Sequence, residues 1–156
     1  MTDTQTARFV RINLSPRTSK LLGSYALVAM HAWFLIKLGL PSANGGAELA
    51  VGLAAITGML ASIVFFVSTY GVIANAPDAA LDERELAERN RAYFGAFKYL
   101  VLMTVAGGMV PELLAKLFRF DLSVGVLKNF ILLMFTTALV LPGFLIAWSD
   151  RDEASA

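Results

Sequence analysis

The chain has 156 residues, of which 57% are hydrophobic and only 16% are charged. Soluble domains carry about 25% charged residues, so this composition excludes an ordinary soluble domain and indicates an integral membrane protein. The absence of cysteine excludes disulfide frameworks, thiolate metal sites and cysteine nucleophiles. The formal net charge of +1 is uninformative as a total, because the charges are concentrated between the apolar segments.

Four apolar segments are long enough to cross a bilayer, which takes about 20 helical residues. They comprise residues 21–40, 49–74, 93–110 and 124–148. A basic arm precedes them at residues 1–20, a charged connector lies between the two pairs at residues 75–92, and an acidic tail follows at residues 150–156. The first segment is too long for a signal peptide, so we expect it to be retained. The sequence predicts an all-α transmembrane domain over residues 21–149, with four helices running up-down-up-down.

The distribution of lysine and arginine predicts the orientation of this bundle. The arm, the connector and the tail together carry eight of these residues, and the other two turns together carry two. Cytoplasmic loops carry an excess of lysine and arginine. We therefore expect both termini and the connector to lie in the cytoplasm.

The connector has the features of a helix start. Asp82 and Glu85 have the spacing of a capping box, and Glu85 with Arg89 forms a favourable i,i+4 pair. No helix breaker interrupts residues 81–94, so we expect one helix to continue into the third span. Its charges form the largest surface for a cytoplasmic partner, or else a solvated extension that only sets orientation. The docking candidates are Asp82, Glu83, Arg84, Glu85, Glu88 and Arg89.

The connector also carries a resemblance. Residues 81–93 read LDERELAERNRAY. This segment resembles the connector between apolar hairpins in small uncharacterised bacterial inner-membrane proteins, which reads approximately L-D-E-R-(E/Q) and then R-x-R-A-Y. The resemblance covers these residues and the arrangement of the spans. It implies a multi-pass protein of the bacterial inner membrane, and it implies no activity and no site residue.

Small residues recur at four-residue intervals along the second span. This ridge consists of Ala50, Ala54, Gly58 and Ser62. In lipid, small side chains let two helix backbones approach closely, and such close packing drives helix association. The ridge therefore predicts association with another chain, or close packing between spans of one chain.

Two ionisable residues fall inside the predicted spans, where charged groups are costly. His31 is the only histidine and lies about 16 Å along the helix from Lys20. It could relay protons or ligate haem, or it could be a neutral imidazole bonded to a neighbouring helix. Lys98 could bind an anionic solute, or its side chain could extend back to the lipid headgroups.

Two acids, Glu48 and Glu112, lie at the outer ends of the two hairpins. They could gather a cation or supply acid–base chemistry, or they could mark where each span meets water. The six methionines lack M-x-x-M spacing and are typical of core filling rather than of a copper path. We predict neither a metal site nor a cofactor.

These patterns favour a protein without catalytic machinery. No Walker loop, dinucleotide fingerprint or H-E-x-x-H motif occurs, and the acids of the connector outnumber its basic residues, which disfavours nucleic-acid binding. We expect a non-enzymatic membrane protein that acts by helix association through the small-residue ridge of the second span, as a homo-oligomer or an accessory subunit of a larger complex. Its partners would be the lipid bilayer and itself or another membrane protein. One alternative is a small transporter or channel with a polar path through His31 and Lys98. A weaker alternative is a redox module that binds haem or quinone at His31.

Overall fold

The computed structural model describes residues 12–39, 45–109, 112, 113, 116 and 124–150. Within these residues the fold is all-α, which confirms the prediction from the sequence. The elements are α1 (Pro16–Gly39), α2 (Gly45–Phe66), α3 (Thr69–Asn75), a 3₁₀ turn (Asp78–Ala80), α4 (Glu83–Thr104), a π-helical turn (Val105–Met109) and α5 (Val124–Ser149). Four helices are long and apolar enough to cross a membrane: α1, α2, α4 with its π-helical turn, and α5.

Helix α1 begins before the predicted apolar boundary at residue 21. Pro16 occupies its first position, where a missing N–H costs no helical hydrogen bond. The Ser15 hydroxyl accepts a hydrogen bond from the backbone N–H of Thr18 at 3.1 Å and so caps the first turn. The start is set by these polar groups, which lie outside the apolar segment.

The predicted capping box at the start of α4 is confirmed. The Asp82 carboxylate accepts from the Glu85 N–H at 2.7 Å, and the Glu85 carboxylate accepts from the Asp82 N–H at 3.2 Å. Helix α4 then runs unbroken from the connector into the third apolar segment, as predicted. The predicted pair between Glu85 and Arg89 is not the one formed, because Arg89 points to the 3₁₀ turn. Its guanidinium donates to the Ala76 carbonyl at 2.6 Å and to the Asp78 carboxylate.

The second predicted span, residues 49–74, is divided in the structure. Helix α2 ends at Phe66, and the short helix α3 starts at Thr69. Between them the Ser68 hydroxyl donates to the Phe65 carbonyl at 2.6 Å. Serine hydroxyls compete with backbone groups for helical carbonyls, so this side chain favours the end of α2.

The chain just before α1 closes this break. Ile12 donates its N–H to the Val67 carbonyl at 3.2 Å and accepts from the Thr69 N–H at the same distance, forming an isolated parallel bridge. The backbone groups that the break frees are thereby bonded, which avoids the cost of leaving them unpaired. Gly71 makes the corner possible, because any Cβ there would collide with the Phe66 carbonyl.

Helix α1 runs antiparallel to α2. The Phe65 ring of α2 lies near Gly23 of α1, and Gly58 lies against Met30 farther along. Helix α5 packs against each of the other four helices, α1, α2, α3 and α4. One core cluster surrounds Phe65 at the end near the connector. The second is formed by Met30, Trp33, Phe34, Phe130 and Leu133.

Candidate functional site

The one histidine makes two hydrogen bonds, one within α1 and one to α4. His31 Nδ1 lies 2.7 Å from the Leu27 carbonyl oxygen, and Nε2 lies 2.7 Å from the Tyr99 hydroxyl. The two rings meet edge-on, with centroids 6.0 Å apart. A carbonyl can only accept, so Nδ1 carries the proton and, in the neutral imidazole, Nε2 accepts from Tyr99. Both ring nitrogens are therefore engaged, which is the geometry expected of a structural histidine.

A pocket opens beside this pair. It is lined by Leu27, Val28, His31, Tyr99 and Leu141, and its volume is about 220 Å³. Pockets for drug-sized ligands measure about 300–1,000 Å³, so this one suits a single ring or a short chain rather than a macrocycle. Ligation of haem by Nε2 would also require the bond to Tyr99 to break.

Lys98 lies on the exposed surface of α4. Its ammonium group is 4.7 Å from the centroid of the Phe94 ring, one turn nearer the connector. This direction is the one that a snorkelling lysine takes, and the ring face adds a cation–π attraction. Lys98 and His31 therefore do not form a joint polar site in the structure.

Four of the hydroxyl groups inside the long helices bond to their own backbone. Thr57, Ser62, Thr104 and Thr136 each donate to a carbonyl three or four residues earlier in the same helix. A hydroxyl engaged with its own backbone offers little to a permeating ion. Within the described residues, these groups do not line a continuous polar path.

The small-residue ridge packs within the chain at its inner half. Gly58 and Ser62 are buried, Ala54 is half-buried and Ala50 is exposed. A Cβ at Gly58 would lie 3.0 Å from the Cβ of Ala29 on α1, and the Ser62 hydroxyl donates to the Gly58 carbonyl at 2.8 Å. Of the two uses predicted for the ridge, this arrangement is the packing of spans in one chain. Gly58 and Ser62 are therefore buried within the chain and are not available to another chain.

The two outer acids are each paired on their own hairpin. Glu48 lies 3.1 Å from the ammonium of Lys37, and Glu112 lies 2.7 Å from that of Lys116. The hydrogen bond from Lys116 lowers the pKa of Glu112 below its ordinary value. The structure does not bring the two carboxylates together. Among the described residues, no cluster of three or more histidines and acids could hold a metal ion.

Most of the predicted docking residues on the connector are engaged inside the chain. Asp82 and Glu85 form the capping box, while Arg84 donates to Glu88 at 3.1 Å. Arg89 is 9% exposed and binds the turn that precedes α4. Glu83 is exposed at the first position of the helix. The charges of the connector therefore serve chiefly to start α4 and attach it to α3.

Tyrosines that no sequence pattern singled out make polar links between helices, and two of these involve a charged or ionisable partner. Tyr99 bonds His31, and the Tyr70 hydroxyl donates to the Asp150 carboxylate at 2.5 Å. Lys20 donates to the Asp150 backbone carbonyl at 2.9 Å, so α1, α3 and the end of α5 meet at this residue. The signal available in the sequence was the phenol itself, because a tyrosine hydroxyl in an apolar segment requires a partner.

Comparison with known proteins does not extend this description. No family model matches the chain, no curated protein matches it, and no solved structure matches it. A function has to be argued from the residues of this chain.

Proposed function

We propose that this chain is a non-enzymatic membrane protein that acts by helix association, as a homo-oligomer or as an accessory subunit. The observation that supports this most directly is the exposure of α4. Only 11% of its most apolar stretch is buried, compared with 50% in α5. Helix α4 packs chiefly on α5, so most of its surface is available to lipid or to another helix.

The available surface is a continuous stripe. It consists of Phe94, Phe97, Val101 and Val105, which we term the α4 edge, and all four are exposed. Their spacing of three and four residues places them on one side of the helix. The buried residues Ala92 and Ala96 fall on the opposite side, against α5. Phenylalanine rings in such a stripe supply the large contact areas on which a neighbouring transmembrane helix packs.

The two alternatives draw less support from the geometry. A path through His31 and Lys98 would need both side chains on one route, whereas Lys98 extends along the exposed side of α4. Haem at His31 would need Nε2, which Tyr99 occupies. The polar and apolar contacts together therefore favour helix association.

Photocrosslinking tests the proposal at two matched phenylalanines. Phe97 on the α4 edge is 62% exposed and Phe135 on α5 is 58% exposed, so each can be replaced by benzoylphenylalanine with little disturbance. Illumination of intact membranes should convert the Phe97 variant to a discrete adduct of higher mass. A doubled mass identifies a second copy, and another mass identifies a different subunit. Phe135 should give lipid adducts. Lipid adducts alone at both positions would overturn the proposal.

We further propose that the protein resides in the bacterial inner membrane with both termini and the connector in the cytoplasm. The excess of lysine and arginine in the arm, connector and tail supports this orientation. Because the chain has no cysteine, single cysteines can report it. In intact spheroplasts, a membrane-impermeant maleimide should label Ala47→Cys and should label Glu83→Cys only after lysis. The reverse pattern would contradict the orientation.

A further inference from the structure

The pocket beside His31 and Tyr99 combines an opening toward lipid with a polar floor. Val28, on its rim, is 66% exposed, whereas Leu141 at its back is buried. His31 lies inside α1, and Tyr99 lies inside the span formed by α4 and its π-helical turn, so in a bilayer the opening would face the apolar region. A molecule that enters it arrives from the apolar part of the bilayer.

The floor of this pocket offers a hydrogen-bond acceptor. In the neutral imidazole, His31 Nδ1 donates to the Leu27 carbonyl and Nε2 accepts the hydroxyl proton of Tyr99, so this form of the pair has no remaining N–H or O–H donor. The Tyr99 oxygen keeps acceptor capacity, since a phenol oxygen accepts as well as donates. No carboxylate occurs among the described residues that line the pocket.

We infer that this pocket binds an apolar bilayer molecule that carries one hydroxyl group, which donates to Tyr99 Oη. Alkylphenols and quinols have this chemistry. A quinone does not, because its carbonyls need a donor that the pair lacks. The volume of about 220 Å³ accommodates one such ring, with the alkyl chain leaving past Val28 into lipid. The hydroxyl extends the existing chain of hydrogen bonds from Leu27 through His31 and Tyr99, so the pair need not rearrange.

A matched pair of probes tests the donor requirement. The full chain in phosphatidylcholine vesicles is illuminated with a diazirine-tagged alkylphenol or with its methyl ether, and adducts are mapped by mass spectrometry. Adducts of the phenol should concentrate around Val28 and Leu141. The methyl ether should label these positions about three- to tenfold less, which corresponds to the loss of one hydrogen bond. Equal labelling by the two probes would overturn the inference.

Variants locate the site. Tyr99→Phe should lower phenol labelling to the level of the methyl ether, whereas Tyr25→Phe, which removes another inter-helix tyrosine hydroxyl, should not. Val28→Trp should block labelling by closing the rim. Leu35→Trp is its control, since Leu35 is 63% exposed and lies two turns farther along the same face of α1.

The rim variant keeps the test decisive if Tyr99→Phe does not fold. Val28 is an exposed residue, so tryptophan there should leave the far-UV circular dichroism and the thermal unfolding of the chain unchanged. Phenol labelling that persists in a folded Val28→Trp protein would contradict the site. Phenol labelling can be measured on the monomeric chain and on the assembled chain. The test of the pocket therefore holds whether or not the chain associates with another helix.

Discussion

Helices α4 and α5 are both long enough to cross a membrane, yet they are packed very differently. Half of the most apolar stretch of α5 is buried, compared with 11% for α4. The difference lies in the neighbours. Small residues on α5 admit α2 and α3, so that a Cβ at Gly143 would lie 3.0 Å from the Phe65 ring and 3.1 Å from the Tyr70 carbonyl oxygen. Burial in this bundle therefore depends on close packing, since apolarity alone does not drive association in lipid.

Helix α4 packs on α5, and polar contacts attach it to the other elements of the bundle. Arg89 attaches the first turns of α4 to the Ala76 carbonyl and the Asp78 carboxylate. Tyr99 attaches its middle to His31 on α1. Because a hydrogen bond is directional and packing is not, the position of α4 should depend on a few atoms, whereas that of α5 is distributed over many contacts.

Removing an aromatic ring from the packed side of the bundle, formed by α1, α2, α3 and α5, should have the largest effect on the free energy of unfolding. Phe65 is fully buried and lies near Gly23 on α1 and Gly143 on α5. Phe65→Ala loses the burial of the ring and leaves a cavity, which should lower the free energy of unfolding by about 3–5 kcal/mol. Reversible unfolding in mixed detergent measures it. Phe97→Ala on the α4 edge should change the stability of the monomer little, and equal losses would contradict the contrast between the two sides.

Adding a side chain at a close contact on the packed side should lower the free energy of unfolding somewhat less. Gly58→Leu inserts a side chain where a Cβ already lies 3.0 Å from Ala29, and overpacking of this kind costs about 2 kcal/mol. The matched control is Gly52→Leu on the same helix, because nothing lies within 4 Å of a Cβ at Gly52. Thermal unfolding of the monomer should separate the two variants. If Gly58→Leu instead altered only the oligomer distribution, the ridge would be acting between chains.

Removing the contacts that attach the first turns of α4 should lower the free energy of unfolding less than either change on the packed side. Arg89→Met removes two charge-assisted hydrogen bonds but leaves Asp78 in solvent, so a loss of about 1.5 kcal/mol is expected. Hydrogen exchange should quicken in the first turns of α4 and stay unchanged in α5. Arg84→Met is the control, because its ion pair with Glu88 is exposed and should contribute nothing measurable. Faster exchange throughout the chain would show that α4 is not held separately.

The elements that could be predicted are those whose signals are local in the sequence. The four apolar stretches, the capping box of Asp82 with Glu85 and the unbroken start of α4 each depend on residues close together in the chain. The break between α2 and α3 was missed for a related reason. Its determinants, Ser68 and Gly71, are isolated inside an apolar run, and the strand-like residue that closes it, Ile12, lies far away in the sequence.

The candidate site was predictable only in part. The cost of a lone histidine in a span identified His31, but its partner Tyr99 is 68 positions away. Whether two such side chains meet depends on the depth and rotation of α1 relative to α4, which no local pattern encodes. The same holds for Arg89. It binds Asp78 rather than Glu85 because the 3₁₀ turn folds back on α4.

The smallest effect is expected at the far end of the second hairpin, outside the contrast between α4 and α5. The pKa of Glu112 is lowered by the hydrogen bond and the charge of Lys116, one turn later. A carboxyl whose pKa is lower when folded stabilises the fold above its ordinary pKa, and this contribution is lost as the pH falls through the folded value. Lys116→Met should therefore move the titration of Glu112 upward, as followed by the carboxyl ¹³C shift, while Lys128→Met on α5 should leave it unchanged. Both groups of the pair are well exposed, so added salt should reproduce part of the upward shift in the unaltered chain. A midpoint insensitive to both Lys116→Met and salt would mean that the pair does not persist in solution.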